Sequence, residues 1–323
     1  MNSSVTRLDA VEGIMEGHAV SEHGLTGVSL LIFPEGASAS ASIRGYASGT
    51  RQFDAMSLTH TVERVYGFVA SGGSVFGHEA ATAIVRMLSA NKIGIITGET
   101  CVPVVPGAVI FDLSFPGNVK SDYRRLGMDA VEIALAGEES RNWAGAGAGA
   151  TVGNVRGLRY ATKTTRGSSL SVTNEGYHIG AFVVLNAFGD VRDASGTKVA
   201  GVRGGSGEGF VDTEDLFRKG FKKEPFSRMD NTTITVIVTD GEISRRELKI
   251  VAGNIHNVLG RYIVPYGTIF DGDSVFAFST GVKARVENLM QFVTIAGDRV
   301  YDALMSAVFS AESGGGVICA RDI

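Results

Sequence analysis

The sequence predicts a globular α+β protein, and three observations support this fold class. The chain has 323 residues, of which 44% are hydrophobic, so it can bury a substantial core. Some segments, above all 232–239, consist mainly of β-branched residues, which favour a packed, pleated strand. In others, such as 123–136 and 244–259, apolar residues recur at the spacing of one helix face. The length allows one large domain or two ordinary ones, and we expect a single domain over residues 1–323.

Composition and charge exclude several classes of function. The formal net charge is -4, and no long cluster of Lys and Arg offers the positive surface that nucleic acid requires, so we expect no nucleic-acid partner. No apolar run approaches the ~18 residues of a membrane-spanning helix, which argues against a membrane partner. Residues 1–23 mix acidic residues into the apolar ones, unlike a signal peptide, and we therefore expect a cytoplasmic protein.

The cysteines and histidines indicate neither a disulfide framework nor a metal site. Cys101 and Cys319 lie far apart in the sequence, and the six histidines lack the spacing of zinc ligands. We expect two buried thiols, no metal and no cofactor. Asp271 and Asp273 flank a glycine, as in a calcium loop, but the later ligands of an EF-hand are missing.

The first half of the chain predicts strands followed by helices. We expect a strand at 27–33 and another at 37–43, joined as a hairpin through the break Pro34-Glu35-Gly36. Alternating glycine and alanine at 144–150 removes side-chain bulk, so another backbone or a ligand can come close. The other expected elements are a strand at 65–69, a glycine-rich turn at 71–74, a helix at 75–88, a broken strand at 102–113 and a helix at 123–136.

The second half begins with a strongly apolar strand at 177–185, which ends in Asn186. Residues 193–224 are polar and rich in glycine, which predicts a surface linker. The remaining elements are the strand at 232–239, a helix at 244–259 opened by a capping box of Ser244 and Glu247, a strand at 269–278 and a helix or helix pair at 285–309.

Thr232 is a candidate for chemistry because it places a hydroxyl at the start of a core strand. If the peptide bond between Asn231 and Thr232 were cut, Thr232 would carry a free amine with a pKa of about 7.7 to 8.0 beside its own hydroxyl. One residue would then supply both the base and the nucleophile. Two other interpretations stay open, because Asn-Thr-Thr fits a glycosylation sequon and threonine is common at strand starts.

Other motifs are weaker when each is taken alone. Asn186, at the end of a buried strand, can supply an oxyanion donor or cap a turn. The turn at 71–74 lacks the lysine of a phosphate-binding loop. No apolar strand precedes the run at 144–150, so it fails as a dinucleotide fingerprint. Nucleotide binding through the glycine-rich segments therefore has little support.

Taken together, the motifs resemble the DmpA-type (S58-like) peptidase family, which includes β-aminopeptidases, D-aminopeptidases and nylon-oligomer hydrolases. The resemblance covers about residues 27–309, in the order in which the family has them. The segments that carry it are Ser71-Gly72-Gly73-Ser74-Val75-Phe76-Gly77, Val105-Pro106-Gly107-Ala108-Val109-Ile110-Phe111-Asp112, the Ala-Gly run ending in Gly153, Val184-Leu185-Asn186, Asn231-Thr232-Thr233-Ile234, and Asp271-Gly272-Asp273 with Phe276-Ala277.

The resemblance implies an αββα sandwich like that of N-terminal nucleophile hydrolases, made as one precursor that cuts itself. The cut would fall between Asn231 and Thr232 and give an alpha chain, 1–231, and a beta chain, 232–323. The Thr232 hydroxyl would attack the Asn231 carbonyl in an N-to-O acyl shift, and the ester would then hydrolyse. The family resemblance also implies a homo-oligomer.

The resemblance assigns roles to individual residues. Thr232 is implied to be the nucleophile and Asn186 the oxyanion donor. Asp271 and Asp273 are implied to orient the amine of the nucleophile. The implied pocket residues are Asn154, Phe111, Gly73 and Ser74.

Two positions depart from the family pattern. Asn154 stands where many members have lysine, and Phe111 stands where some have tyrosine. A missing ammonium would remove one influence that holds the pKa of the nucleophile down, and we expect Lys163 or Arg166 to substitute for it or the site to be slower.

Two functional hypotheses follow from these residues. The first is a self-processing amide hydrolase that releases N-terminal residues from small peptides or cleaves short amides. The alternative is an uncleaved member of the same family that binds a metabolite without hydrolysing it, which the two departures motivate.

Overall fold

The computed structural model describes residues 6–140, 142–205, 209–222 and 231–323. Its helices are α1 (His78–Ala90), α2 (Tyr123–Ala136), α3 (Thr213–Arg218), α4 (Arg245–Tyr262) and α5 (Leu289–Phe309). Its strands are β1 (Met15–Val20), β2 (Gly27–Ile43), β3 (Gly49–Arg51), β4 (Arg64–Ser71), β5 (Ile95–Thr97), β6 (Thr100–Val102), β7 (Gly107–Val109), β8 (Thr151–Val152), β9 (Thr162–Lys163), β10 (Arg166–Val172), β11 (His178–Asn186), β12 (Asp190–Arg192), β13 (Lys198–Ala200), β14 (Val202–Arg203), β15 (Phe210–Val211), β16 (Thr232–Thr239), β17 (Ile263–Val264) and β18 (Ser274–Ser279).

The strands alternate their side chains between different cores, and this alternation creates the layers. In β16, Ile234, Val236 and Val238 enter a core between two layers of strands, whereas Ile237 enters a second core against α4 and α5. A third core joins β2 and β4 to α1 and α2. Since successive strand residues face opposite sides, each layer of strands contacts a helix layer and the central core. The predicted αββα sandwich is confirmed.

Strand β2 passes from one layer of strands to the other. Its residues 27–32 pair with β1 and β4, and its residues 38–43 pair with β18. The strand order is therefore continuous, β10-β11-β16-β18-β2-β4-β7-β3, with β1 also on β2. The hairpin predicted at Pro34-Glu35-Gly36 is wrong. These residues lie in an irregularity of one long strand, where the ladder shifts register and proline is tolerated.

The linker predicted at 193–224 is also wrong in its described part. It contains three short strands and α3, and Ala200, Val202 and Thr213 are buried. The polar sequence misled because a buried carboxylate, Asp190, organises this region by accepting hydrogen bonds from Thr213 and Val202. Residues 206–208, 223 and 224 of the predicted linker lie outside the described residues.

Most other elements agree with the sequence predictions. Helix α2 has the predicted limits, and α4 begins with the predicted capping box of Ser244 and Glu247. The last strand is shorter than predicted, because it begins only at Ser274. Cys101 and Cys319 are buried free thiols. Among the described residues, no helix is both long and apolar enough to cross a membrane.

Candidate active site

Thr232 and Asn186 meet where two central strands pair. Thr232 is the first residue of β16, Asn186 is the last of β11, and the antiparallel register places them directly opposite each other. Directly opposed residues have Cα atoms about 4.5 to 5.5 Å apart and present side chains to the same face. Both are buried, with 3% of Thr232 and 1% of Asn186 exposed. The Thr232 hydroxyl and the Asn186 amide therefore lie in the same buried region of the sheet.

The segment that precedes β18 in the chain forms hydrogen bonds with both the N–H and the carbonyl of Asn231. The Asn231 N–H donates to the Phe270 carbonyl at 3.1 Å, and the Gly272 N–H donates to the Asn231 carbonyl at 2.6 Å. The second hydrogen bond polarises the carbonyl that an attack by the Thr232 hydroxyl would convert to an oxyanion. The Asn231 side chain is buried, and neither of its amide atoms has a hydrogen-bond partner among the residues that the structure describes.

Gly272 also leaves room for the Thr232 hydroxyl. A Cβ at Gly272 would lie 2.6 Å from Thr232 Oγ1 and 2.8 Å from the Ala47 carbonyl oxygen. Real Cβ atoms do not make such contacts, so only glycine fits between the two acids of this turn. The sequence signal was the glycine itself, which stands between Asp271 and Asp273.

Asp271 and Asp273 are buried and are held mainly by backbone N–H groups. Asp273 Oδ1 accepts from Thr233 N at 2.7 Å, and Asp273 Oδ2 accepts from Gly267 N at 3.1 Å. Asp271 Oδ2 accepts from the N–H and the hydroxyl of Thr268 at 2.8 and 2.6 Å. Asp273 thereby contacts the residue that follows Thr232, which brings the two predicted carboxylates to the start of β16.

Burial dominates the electrostatics of this acidic pair. It raises the pKa of the Asp273 carboxyl well above its ordinary value, and the nearby charge of Asp271 raises that pKa further. The pKa of the Tyr266 hydroxyl is also raised well above its usual value, by burial and by the charges of Asp273 and Asp271. Two carboxyls that share a buried site resist ionising together, so this site favours holding a proton.

The Asn186 side chain is fixed by the backbone of two other segments. Its Oδ1 accepts from Thr151 N at 3.1 Å, and its Nδ2 lies 3.5 Å from the Phe111 carbonyl oxygen. Asn154 lies behind this contact, with its Nδ2 at 3.5 Å from Thr151 Oγ1. Asn154 is buried, and within the described part of the chain its Oδ1 has no hydrogen-bond partner. The structure therefore connects Asn154 to Asn186 through Thr151.

The predicted pocket residues Gly73 and Ser74 form hydrogen bonds with the two residues that flank Phe111 in the chain. Gly73 N donates to Asp112 Oδ1 at 2.7 Å, and Ser74 N donates to the Ile110 carbonyl at 2.9 Å. Gly73 and Ser74 both have positive φ, at 81° and 52°. A Cβ at Gly73 would lie 2.1 Å from the Tyr123 ring, which explains why glycine is needed there.

Lys163 and Arg166, the expected substitutes for a lysine at position 154, occupy different places. Lys163 Nζ donates to the carbonyls of Thr164 and Ala150 at 2.7 and 3.2 Å. The Arg166 guanidinium lies 5.8 Å from the ring centroid of Trp143 and 5.7 Å from that of Phe182. Lys163 is the one of the two that contacts the backbone beside Thr151.

A charged neighbour of Lys163 was missed as a functional candidate. Asp112 is buried, and desolvation raises the pKa of its carboxyl to about 6. Desolvation lowers the pKa of the Lys163 ammonium to about 8, and the charge of Asp112 opposes that change. The available sequence signal for Asp112 was its position directly after Phe111, in one of the segments that carry the family resemblance.

An apolar cavity lies beside the acidic pair. It has a volume of about 320 Å³, and Phe188, Phe217 and Phe270 form its aromatic wall. Phe188 N donates to Asp271 Oδ1 at 3.3 Å, so the cavity wall is bonded directly to the acidic pair. Among the described residues, no cluster of three or more His, Cys, Asp or Glu side chains is arranged to hold a metal ion.

Comparison with known proteins gives concordant matches. The model of Peptidase family S58 matches residues 7–318. An uncharacterized aminopeptidase of Mycobacterium tuberculosis is 30% identical over 320 residues, covering 92% of this chain and 89% of the relative. The 6-aminohexanoate-oligomer endohydrolase of an Agromyces species is 30% identical over 310 residues, covering 91% of this chain and 84% of the relative.

The fold has a solved counterpart as well. The L-aminopeptidase D-Ala-esterase/amidase of Ochrobactrum anthropi, described as a variant of the Ntn hydrolase fold, matches with a TM-score of 0.70. The match covers 96% of this chain and 89% of that protein at 18% identity, so it supports the fold alone.

Proposed function

This chain belongs to peptidase family S58 and is an amide-bond hydrolase, and from this premise we propose that Thr232 is its nucleophile. We propose further that the chain frees the Thr232 amine by cutting its own bond to Asn231. The products would be residues 1–231 and 232–323. Asn186 would supply the oxyanion donor, and Asp271 and Asp273 would orient the amine.

One observation carries this proposal. The bond to be cut lies at the start of β16, with Asn186 opposite it and the Gly272 N–H on its carbonyl at 2.6 Å. A donor that is fixed on the carbonyl before the attack stabilises the developing oxyanion without reorganisation of the protein. Thr232 Oγ1 is kept close to this turn, since Gly272 has no side chain.

Self-cleavage and substrate turnover would proceed by the same two steps, an attack by the Thr232 oxygen on an amide carbonyl and hydrolysis of the resulting ester. The Thr232 oxygen attacks the Asn231 carbonyl, the carbon–nitrogen bond breaks, and the proton that the hydroxyl loses is transferred to the nitrogen, which becomes the new amine. Water then hydrolyses the ester and releases Asn231 as a carboxylate. In turnover the amine accepts the hydroxyl proton while the oxygen attacks the substrate amide, and it passes that proton to the leaving amine as the carbon–nitrogen bond breaks. A water molecule then hydrolyses the acyl ester and releases the acyl group as a carboxylate.

The proposed substrates are small peptides, from which an N-terminal residue is released, or short amides. The names of the relatives support this range, because one is called an aminopeptidase and another an endohydrolase of 6-aminohexanoate oligomers. The buried position of Thr232 is also suited to a short chain rather than a folded protein.

Mass spectrometry and a nucleophile variant test the proposal. Purified wild-type protein should contain the fragments 1–231 and 232–323 and should hydrolyse aminoacyl anilides. Thr232→Ala should remain one chain without activity, because the hydroxyl that both reactions need is gone. Thr232→Ser keeps a hydroxyl and serves as the matched control, which should still be cut.

The alternative of an uncleaved metabolite-binding protein makes the opposite prediction. A folded wild-type chain that stays intact, leaves the anilides untouched and gains thermal stability with a small-molecule ligand would replace our proposal with that one.

A further inference from the structure

Two buried charged side chains, Lys163 and Asp112, lie close to the site and are not used by the proposed chemistry. Lys163 is 4% exposed and Asp112 is 2% exposed. Each affects the ionisation of the other, because the charge of Asp112 favours the protonated form of Lys163 and the charge of Lys163 favours the ionised form of Asp112. Burial of a charged group is costly, so each of these side chains has to be stabilised by its own hydrogen bonds.

The Asn186 amide is bracketed by two backbone segments. One is the peptide that joins Ala150 to Thr151, whose N–H donates to Asn186 Oδ1 at 3.1 Å. The other contains the Phe111 carbonyl, 3.5 Å from Asn186 Nδ2. An amide side chain held at both its oxygen and its nitrogen has a defined rotation, so the direction in which it donates depends on where these two segments lie.

Lys163 fixes the first of these segments. Its Nζ donates to the Ala150 carbonyl at 3.2 Å, on the peptide whose N–H contacts Asn186. It is also the residue directly opposite Thr151 in the pairing of β8 with β9. The same side chain therefore holds the carbonyl end of the peptide that presents its N–H to the Asn186 oxygen.

Asp112 fixes the second segment. It directly follows Phe111, and its Oδ1 accepts from Gly73 N at 2.7 Å. Its main-chain carbonyl accepts from Asn118 Nδ2 at 2.9 Å. A Cβ at Gly149 would lie 2.6 Å from Asp112 Oδ2, so the carboxylate is in close contact with the segment that Lys163 holds. The two bracketing segments therefore meet where Asp112 packs against Gly149.

We infer that the buried side chains of Lys163 and Asp112 position the Asn186 amide for oxyanion stabilisation, each by holding one of the two segments that contact that amide. The two residues are positioning residues, because they act through the backbone of residues 111–112 and 150–151. The inference rests on the proposed role of Asn186 and adds the residues that set its orientation.

Kinetics of Lys163→Met and Asp112→Asn test the inference. Each change should lower kcat for an aminoacyl anilide by about 10- to 100-fold, since small displacements of a catalytic group have effects of this size. KM should stay within about twofold, because Asn186 acts on the transition state rather than on substrate binding. Rates are expressed per cleaved chain, and the rate of self-cleavage is followed separately by electrophoresis.

A matched control is available at the other end of β11. Asp240 is also fully buried and accepts from His178 N at 2.7 Å, but His178 begins the strand that Asn186 ends. Asp240→Asn should lower the melting temperature while leaving kcat unchanged. If Lys163→Met and Asp112→Asn behave in the same way, the pair is only structural and the inference is overturned.

The double variant Lys163→Met with Asp112→Asn keeps the test decisive if a single variant does not fold. It removes both buried charges together, so neither remains as an uncompensated buried charge, and it should fold where a single change fails. A loss of kcat of at least about 10-fold supports the inference, and wild-type kcat contradicts it. An inactive wild-type enzyme would instead refute the proposed function, so the two failures are distinguishable.

Discussion

Gly272 shows how much one residue contributes to the geometry around Thr232. Its N–H donates to the Asn231 carbonyl, and its missing side chain leaves space beside Thr232 Oγ1. Both features come from the backbone, which explains why a residue without functional groups lies at the centre of the site. The carboxylates of the neighbouring Asp271 and Asp273 do not take over this role, because they accept hydrogen bonds from other backbone N–H groups.

We predict that Gly272→Ala stops or strongly slows self-cleavage. The new Cβ would have to displace Thr232 Oγ1 or the Ala47 carbonyl, at 2.6 and 2.8 Å. Such a displacement should reduce the rate of chain cleavage by about 100-fold or more, measured by electrophoresis of freshly made protein.

Gly253→Ala in α4 is the control for that change. A Cβ at Gly253 meets no atom of the described residues within 4 Å, and alanine favours the helix by about 1 kcal/mol over glycine. This variant should be cut at the wild-type rate and should be slightly more stable. Normal cleavage of Gly272→Ala would contradict the geometry that we assign to the scissile bond.

At the scale of an element, α4 connects the helix layer to the acidic pair. Leu248, Val251, Ile255 and Leu259 place one face of α4 in the core, where α4 packs against α5, β2 and β18. The same helix carries the buried His256, whose Nδ1 lies 2.7 Å from the Tyr266 hydroxyl. Burial lowers the pKa of His256 to about 4, with nearby positive charges of Arg44 and Lys249 contributing.

This histidine predicts instability in acid. The unfolded chain takes up a proton as the pH falls below about 6.5, whereas the folded chain resists protonation of His256 until about pH 4. The neutral buried form therefore contributes stability above pH 6.5, and this contribution is lost between about pH 6.5 and pH 4. The free energy of unfolding should fall by up to roughly 3 kcal/mol from this group.

Urea unfolding at several pH values measures this loss. His256→Gln should show a smaller decline of the unfolding free energy than the wild type between pH 6.5 and pH 4. His23→Asn, at an exposed histidine, should leave the decline unchanged. Equal declines for wild type and His256→Gln would show that another group is responsible.

At the scale of the whole molecule, the two proposed chains are interleaved. Strands β16 and β18 belong to residues 232–323, yet they lie between β11 and β2 of residues 1–231. The central core likewise combines Phe68 of the first chain with Phe276 and Phe278 of the second, at ring distances of 4.6 and 5.5 Å. Neither proposed chain has a complete core by itself.

We predict that the cleaved chains stay associated under native conditions. Both fragments should elute together from a size-exclusion column and separate only in denaturant, because their separation would expose the central core and break two strand pairings. Light scattering on the same column tests the proposed homo-oligomer. Elution of either fragment alone as a folded species would contradict the interleaved arrangement.

The sequence by itself determined the type and position of most elements and the family. Runs of β-branched residues defined β16, and the Ser244 and Glu247 capping box defined the start of α4, because these signals are local. Thr232 and Asn186 were candidates because they stand at the ends of predicted strands, and the resemblance added Asp271 and Asp273 and the role of each residue. Pro34 and the polar segment after 193 were misread, since their role depends on partners far away in the chain.

Only the tertiary structure decided how these residues meet. The pairing of Thr232 with Asn186 depends on the register of β11 and β16, which a local sequence pattern does not fix. The hydrogen bond from Gly272 to Asn231 and the connection from Lys163 and Asp112 to Asn186 run through backbone atoms of distant segments. Every non-proline residue carries the same backbone N–H and carbonyl groups, so the sequence does not show which distant segments these groups will contact in the folded chain.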